Sequence, residues 1–467
     1  MVRPLRRCRW APVSAVKLSA SIDWRVGRLG RPARLSLWLV LALFSSVPQA
    51  AAAGQATVGQ SIRGETIDNF YAARNGQPLW FSRDNEGAAP QLLFDLIRDA
   101  RADGLDPNSY APQELDRALR AAWSSNPDTI RRADRLLSEL FVAYARDMRR
   151  TPAIDMIWVD PELRPAAFSP RQLLDAAAAA PSLERYVADM GWMNPIYAGL
   201  RHALVAGELT SPDEHDLLRL NLERARALPA GSGKAVIVNA AAAELVMTED
   251  DRVVDSMRVV VGKPVHPTPM MAALIRFTSL NPYWNVPADL AAERIAPNVV
   301  KSGAPYLRQK GYQLLSSWAD DATVVDPATV DWAAVAAGKV NVRVRQLPGP
   351  ENAMGRMKFM FPNAQGIYLH DTPEKKLLGE ESRMFSGGCV RLEDAPRLAR
   401  WLYGGNEPST SSTNPEQRID LPRPVPVYLT YLTALPSGGA ITFLPDVYKR
   451  DPAALALLGN DRKIASR

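Results

Sequence analysis

Two short stretches of this chain carry the residue types of a thiol acyl-transfer site: Gly366-Ile-Tyr-Leu-His370-Asp371-Thr-Pro373, then Ser386-Gly-Gly-Cys389-Val-Arg391, with fifteen residues between His370 and Ser386. A thiolate is a strong nucleophile, and an imidazole beside it can take the thiol proton. Glycines ahead of the cysteine let backbone approach a substrate and aim N–H groups at a developing oxyanion, making Gly388 and Cys389 the candidate donors. The imidazole needs a partner on its second nitrogen, first the Asp371 backbone carbonyl and second the Asp371 carboxylate. Arg391 is placed either to hold a substrate carboxylate bidentately or to pair with Glu393 at the surface. Ser386 and the aromatics Tyr283 and Trp284 are further substrate-side candidates. For the two aromatics, a wall of the site and ordinary core packing are equal readings.

Other chemistries lack their residues. The four histidines (His202, His215, His266, His370) form no H-E-x-x-H pair. Gly231-Ser-Gly-Lys234 lacks the upstream glycine and following Ser/Thr of a phosphate loop, and no G-x-S-x-G elbow occurs. No metal or organic cofactor is expected.

Of two cysteines, Cys8 falls in a segment with the pattern of an export signal. Residues 1–34 hold nine Lys/Arg against the single acid Asp23. An apolar run follows, Leu35 to Val47, and then Pro48-Gln-Ala-Ala-Ala-Ala-Gly54, a small-residue cleavage pattern. Residues 1–53 therefore read as a signal peptide with a long basic region, and the mature protein as exported, with no stable membrane span. Cys389 is then the only thiol left, so a structural disulfide is excluded, although a lone cysteine is ordinarily a small buried hydrophobe. The net charge of +6 belongs to that basic start, and without it the chain is close to neutral, so nucleic acid is not an expected partner.

The elements that must position this site divide the chain. Residues 60–230 read as helices. Asn126-Pro127-Asp128 is a cap with proline at the first helical position, followed by apolar residues at three- and four-residue steps from Ile130 to Met148. Ser169-Pro-Arg-Gln172 and Ser211-Pro-Asp-Glu214 read as capping boxes. From about residue 231 to 450 the pattern is mostly strand, with runs at 235–239, 243–247, 253–261, 340–344, 358–361, 366–370, 425–433 and 440–443. Residues 288–339 are too polar and irregular for sheet core and read as a helical and loop insertion that covers a site. Residues 404–424 read as a surface loop, and 451–467 as a C-terminal tail. The expected class is α+β.

Ser-Gly-Gly-Cys-Val-Arg after His-Asp-Thr-Pro resembles the active-site signature of the L,D-transpeptidase family with the YkuD-type catalytic domain. Blocks beginning at Val261, Leu280 and Arg345 resemble its larger periplasmic branch, and Phe70 to Phe81 and Asp103 to Pro107 resemble that branch's scaffold domain. The resemblance implies a peptidoglycan transpeptidase of the periplasm. Cys389 would form a thioester with the third residue of a donor stem peptide, His370 would act as base, and a 3–3 cross-link would result. Its partners would be peptidoglycan stem peptides and cell-wall synthesis proteins, and the 288–339 insertion would cap the cleft. Two features depart from the family pattern. Gly387 stands where many members have histidine, and residues 191–210 are too short for the peptidoglycan-binding module of many larger members. An acceptor of water in place of an amine would make the enzyme a carboxypeptidase or cross-link hydrolase. A non-catalytic scaffold of the wall machinery is the alternative outside enzymes.

Overall fold

The computed structural model describes residues 66–81, 87–123, 126–207, 209, 211–437 and 440–465, so the signal-like segment lies outside the described residues. From residue 66 to Arg226 the described chain is mostly helical, and several helices start where their caps dictate. The Asn126 side chain accepts from the Asp128 N–H to open the Pro127–Met148 helix. Both capping boxes form, at Ser169/Gln172 and at Ser211/Glu214. Each cap satisfies N–H groups that the first helical turn leaves unpaired. The helices bury Trp80, Phe141 and Trp192, whose rings meet edge to face.

Two buried carboxylates organise this half. Asp134 accepts from the backbone N–H groups of Leu79, Trp80 and Phe81 and from Tyr71, tying the 77–81 segment to the long helix. Asp103 takes Arg201 at 3.0 Å and the hydroxyls of Tyr144 and Tyr197. A charge this deeply buried persists only when its partners replace water, as these do.

The helical half is continuous with the sheet through β1 (Ile157–Trp158). The second half contributes β2 (Lys234–Asn239), β3 (Glu244–Glu249), β4 (Arg252–Gly262) and β5 (Met271–Leu280). The cap follows with β6 (Trp284–Val286), β7 (Tyr312–Leu315), β8 (Val324–Val325) and β9 (Arg343–Gln346). The chain then returns through β10 (Met357–Met360), β11 (Leu369–His370), β12 (Met384–Ser386), β13 (Val390–Leu392) and β14 (Gln417–Thr430). The large sheet runs β1-β5-β10-β11-β13-β4-β3-β2-β14, and β14 also pairs antiparallel with β5, so the sheet closes on itself. Closure leaves no free edge from β5 round to β14, and β1 lies outside that ring on β5. β1 pairs parallel with the start of β5, and Asp160, just after it, accepts from the Leu274 N–H and pairs with Arg276.

Three expectations change. The 288–339 segment is not sheet-free: it supplies β7 and β8, which with β6 and β9 form a second, four-stranded sheet. This sheet and the flanking short helices bury their own apolar cluster, including Trp284, Leu290, Leu314, Trp332 and Val344. The 404–424 stretch becomes strand at Gln417, its prolines absorbed by an irregularity between Asp420 and Val425. The C-terminal stretch is a helix, Asp451–Ala465, packed on the Pro212–Arg226 helix, with Asp451 pairing the buried Arg224 at 2.6 Å. No helix among the described residues is long and apolar enough to cross a membrane.

Candidate active site

β11 and β13 are neighbours in the sheet and run parallel, placing His370 directly beside Arg391. On its other side β11 pairs antiparallel with β10, which sets Lys358 opposite His370. Cys389 stands two residues before Arg391, and alternate strand residues share a face. Three short strands therefore bring the thiol, the imidazole and two cations onto one face of the sheet.

The turn that presents Cys389 is held from within. The Ser386 hydroxyl donates to the Cys389 carbonyl at 2.6 Å and accepts from the Gly388 N–H at 3.1 Å. Thr268 donates to the Gly388 carbonyl at 2.8 Å and accepts from the Gly262 N–H at 2.9 Å. Gly388 has φ +116°, a conformation that L side chains rarely adopt, so glycine is required there. The half-buried Cys389 thiol donates to the Gly366 carbonyl at 3.5 Å.

His370 is buried, and its Nδ1 lies 2.5 Å from the Asp371 carbonyl oxygen. A carbonyl only accepts, so Nδ1 carries the proton and Nε2 keeps its lone pair in the neutral ring. Burial, reinforced by the Arg391 charge, lowers the His370 pKa to about 3, although the Asp371 carbonyl pulls the other way. Burial pushes the Cys389 thiol up to about 11, against the opposing effects of the Tyr368 backbone, Arg391 and Lys358. At neutral pH the resting pair is therefore thiol and imidazole, both uncharged.

The other sequence candidates divide. The Asp371 backbone carbonyl orients the imidazole as expected. Its carboxylate is engaged elsewhere, by Lys375 at 2.8 Å and by the Arg356 N–H at 3.0 Å. Burial acts to raise the Asp371 pKa, but those donors hold it below its ordinary value. Arg391 does not pair with Glu393, which faces Arg258; it pairs with Glu374. Ser386 spends its hydroxyl inside the turn and is buried, so it does not present that group to a substrate. The same bond engages the Gly388 N–H, which removes it from the free oxyanion donors and leaves Cys389 of the two proposed. Trp284 is core and wall at once, being 8% exposed, in the cap's apolar cluster, with its ring 6.4 Å from that of Tyr312. Tyr283 lies instead under the Arg345 guanidinium at 4.3 Å, its N–H given to Glu416.

The cap closes over this face through residues that sequence reasoning passed over. Its Ala291–Ile295 segment is a π-helical turn, a form frequent at functional sites. Glu293 in that turn pairs with Lys263 and lies 3.4 Å from His266 Nε2. Arg294 donates to the Phe385 carbonyl at 3.1 Å. Leu290 sits so close to Gly387 that a side chain there would meet it. Between the cap and the 373–376 loop lies a cavity of about 570 Å³ lined by Trp284, Arg294, Tyr312, Glu374, Lys376 and Arg391 among others. Of these groups Trp284 and Arg391 were sequence candidates, and Glu374 was marked only by its place directly after the His-Asp-Thr-Pro run. Lys358, Thr268 and Leu290 become visible only through strand register and cap docking.

Comparison with known families places both halves. Residues 233–426 match the L,D-transpeptidase catalytic domain named YkuD, and residues 65–204 match the scaffold domain. A Haemophilus influenzae protein named "Putative L,D-transpeptidase" is 29% identical over 397 residues, covering 82% of this chain and 78% of that one. A solved L,D-transpeptidase from Mycobacterium smegmatis shares 16% identity over 43% of this chain, with a TM-score of 0.20, and the match spans 59% of that protein's chain. The matched regions coincide with the helical half and with the sheet that carries His370 and Cys389, and the chain joins a scaffold domain to a YkuD L,D-transpeptidase catalytic domain.

Proposed function

We propose that this protein forms 3–3 cross-links between peptidoglycan stem peptides through a thioester on Cys389. The observation that carries the reading is a neutral, oriented imidazole on one strand and the lone described thiol in the turn that leads into the parallel strand beside it, beneath a cap. His370 Nε2 takes the thiol proton as sulfur attacks the donor carbonyl, and the Arg391 and Lys358 charges favour the negative sulfur as it forms. The Cys389 N–H is the oxyanion donor proposed for the tetrahedral intermediate. The imidazolium gives that proton to the nitrogen of the donor's terminal residue as its carbon–nitrogen bond breaks, which leaves the thioester and a neutral imidazole. An amine then attacks it, and the imidazole accepts the amine's proton on the way to reforming the thiol. The basic and apolar pattern of residues 1–53 supports action in the periplasm, with stem peptides as substrates and wall-synthesis proteins as neighbours.

The test is incubation of the purified protein with tetrapeptide muropeptides and mass analysis of the products. Cross-linked dimers lacking one terminal residue are the expected result, together with a covalent carbapenem adduct on Cys389. Tripeptide without dimer would make the enzyme a hydrolase. Unchanged cross-linking by Cys389→Ala would remove the thioester from the reading altogether.

A further inference from the structure

We propose that the Lys358–Glu416 ion pair is a positioning device of the acyl-transfer site: β10 delivers the ammonium to the face that carries His370 and Cys389, and Glu416 fixes it there while holding part of its charge back from the sulfur. The inference rests on the acyl-transfer reading, to which it adds two residues with opposite effects on the nucleophile.

Lys358 is the cross-strand partner of His370, and Tyr368, two residues before His370, gives its carbonyl to the Val390 N–H at 3.1 Å, beside Cys389. The Lys358 ammonium lies 5.9 Å from the centre of the Tyr368 ring, and that ring meets the His370 ring at 6.0 Å. Ammonium, imidazole and thiol are thus gathered around one aromatic side chain. Lys358 is only 8% exposed, and a cation so short of water needs a partner in the protein. Its partners are the Glu416 carboxylate at 2.8 Å and the Tyr283 carbonyl at 3.5 Å.

Glu416 is held in a costly conformation to play this part. Its φ of +56° lies in the left-handed region that side chains other than glycine rarely adopt, and its N–H donates to the Asn281 carbonyl at 3.0 Å. Its carboxylate also accepts from the Ser279 hydroxyl at 2.6 Å and the Tyr283 N–H at 2.9 Å. Tyr283 directly precedes β6, so the ion pair grips the peptide groups on both sides of the residue through which the chain enters the cap.

The other charges beside the base are Asp371 with Lys375 and Arg391 with Glu374. The Glu374 side chain is 53% exposed, so water screens it. Glu416 is 36% exposed and pinned by three donors, so it and Lys358 act from fixed positions. The Lys358 charge pulls the Cys389 thiol down against burial and disfavours an imidazolium at His370. A carboxylate acts on the sulfur in the opposite sense. Lys358 therefore eases the growth of negative charge on sulfur during attack, and Glu416 restrains it at rest.

The experiment follows alkylation of Cys389 in the full chain by iodoacetamide at pH 8, with peptide mass analysis to separate it from Cys8. Loss of the Lys358 charge in Lys358→Met is expected to slow the reaction about threefold. Glu416→Gln keeps an acceptor oxygen for the Tyr283 N–H but loses the charge, and is expected to speed it about threefold. These values follow from a shift of about one pKa unit, a tenfold change in thiolate partly offset by the change in nucleophilicity. The double variant should return close to the native rate. A purely structural pair would instead impair both single variants in the same direction, and that result, or an unchanged rate in Glu416→Gln, overturns the inference. Glu416→Gln carries the test by itself if Lys358→Met does not fold. If the rates move as expected but no form of the protein is acylated by a tetrapeptide donor, the acyl-transfer reading falls and the effect of the pair on the thiol stands.

Discussion

Lowering the pH should destabilise this protein through His370 in particular. The unfolded imidazole titrates near 6.5, while burial and the Arg391 charge bring the folded value to about 3. Between those two values the unfolded chain holds a proton that the folded chain does not. The stability linked to this group is therefore complete above pH 6.5 and is lost as pH falls toward 3. At pH 4 the loss spans about 2.5 pKa units, or about 3 kcal/mol.

Asp371 and Glu393 are held low by their partners and lose stability in the same direction, so acid sensitivity alone does not identify His370. The comparison with His370→Gln separates them, because those carboxylates are present in both proteins. Urea unfolding followed by tryptophan fluorescence at pH 7.5 and pH 4.0 gives four free energies. The native protein should lose about 3 kcal/mol more between the two pH values than the glutamine variant. The constant cost of replacing a packed imidazole cancels in the difference. Equal losses in the two proteins would mean that His370 is not held neutral by burial, and the description of the resting pair would fail.

Alkylation of Cys389 by iodoacetamide should accelerate about tenfold per pH unit from pH 7 to 10 without levelling, because a thiol pushed up to about 11 is far from half-ionised in that range. A plateau near pH 8 would contradict it. Gly387→Phe should displace Leu290 and lower thioester formation by the cap's loss of fit, and Leu290→Ala in the same chain should restore part of it. Failure of that rescue would detach the two residues. Gly262→Ala drives a methyl group into the His266 backbone carbonyl and should cost at least about 3 kcal/mol in unfolding experiments, since backbone on both sides cannot yield.

Legibility in the sequence followed the range of the interaction. The caps at Asn126, Ser169 and Ser211 were readable because each bond closes within three residues. His370 and Cys389 were readable from residue type, and the Asp371 carbonyl from adjacency. β5 was missed, although it pairs with three other strands, because Met271–Leu280 is buried along most of its length and shows no alternation. The strand at Gln417 was hidden by its prolines, which sit at an irregularity that local pattern does not reveal. One of the two readings of Arg391 paired it with the near neighbour Glu393, but Glu393 is drawn to Arg258 on β4, which only the sheet order brings within reach. Gly388 was read as a free donor for the same reason, since its N–H is claimed by a hydroxyl whose direction the turn decides.

The hydrogen bonds around Gly388 have a consequence for the chemistry. Ser386 and Thr268 hold the Gly388 peptide from both ends, so the turn is rigid before any substrate arrives. A rigid turn fixes the sulfur but does not ionise it, and Arg391 and Lys358, the cations in register with the base, are already paired with Glu374 and Glu416. The pair thus rests neutral, protected from adventitious reaction. In the proposed reaction the sulfur gains charge only as His370 takes its proton, so proton transfer and attack on the donor carbonyl proceed together.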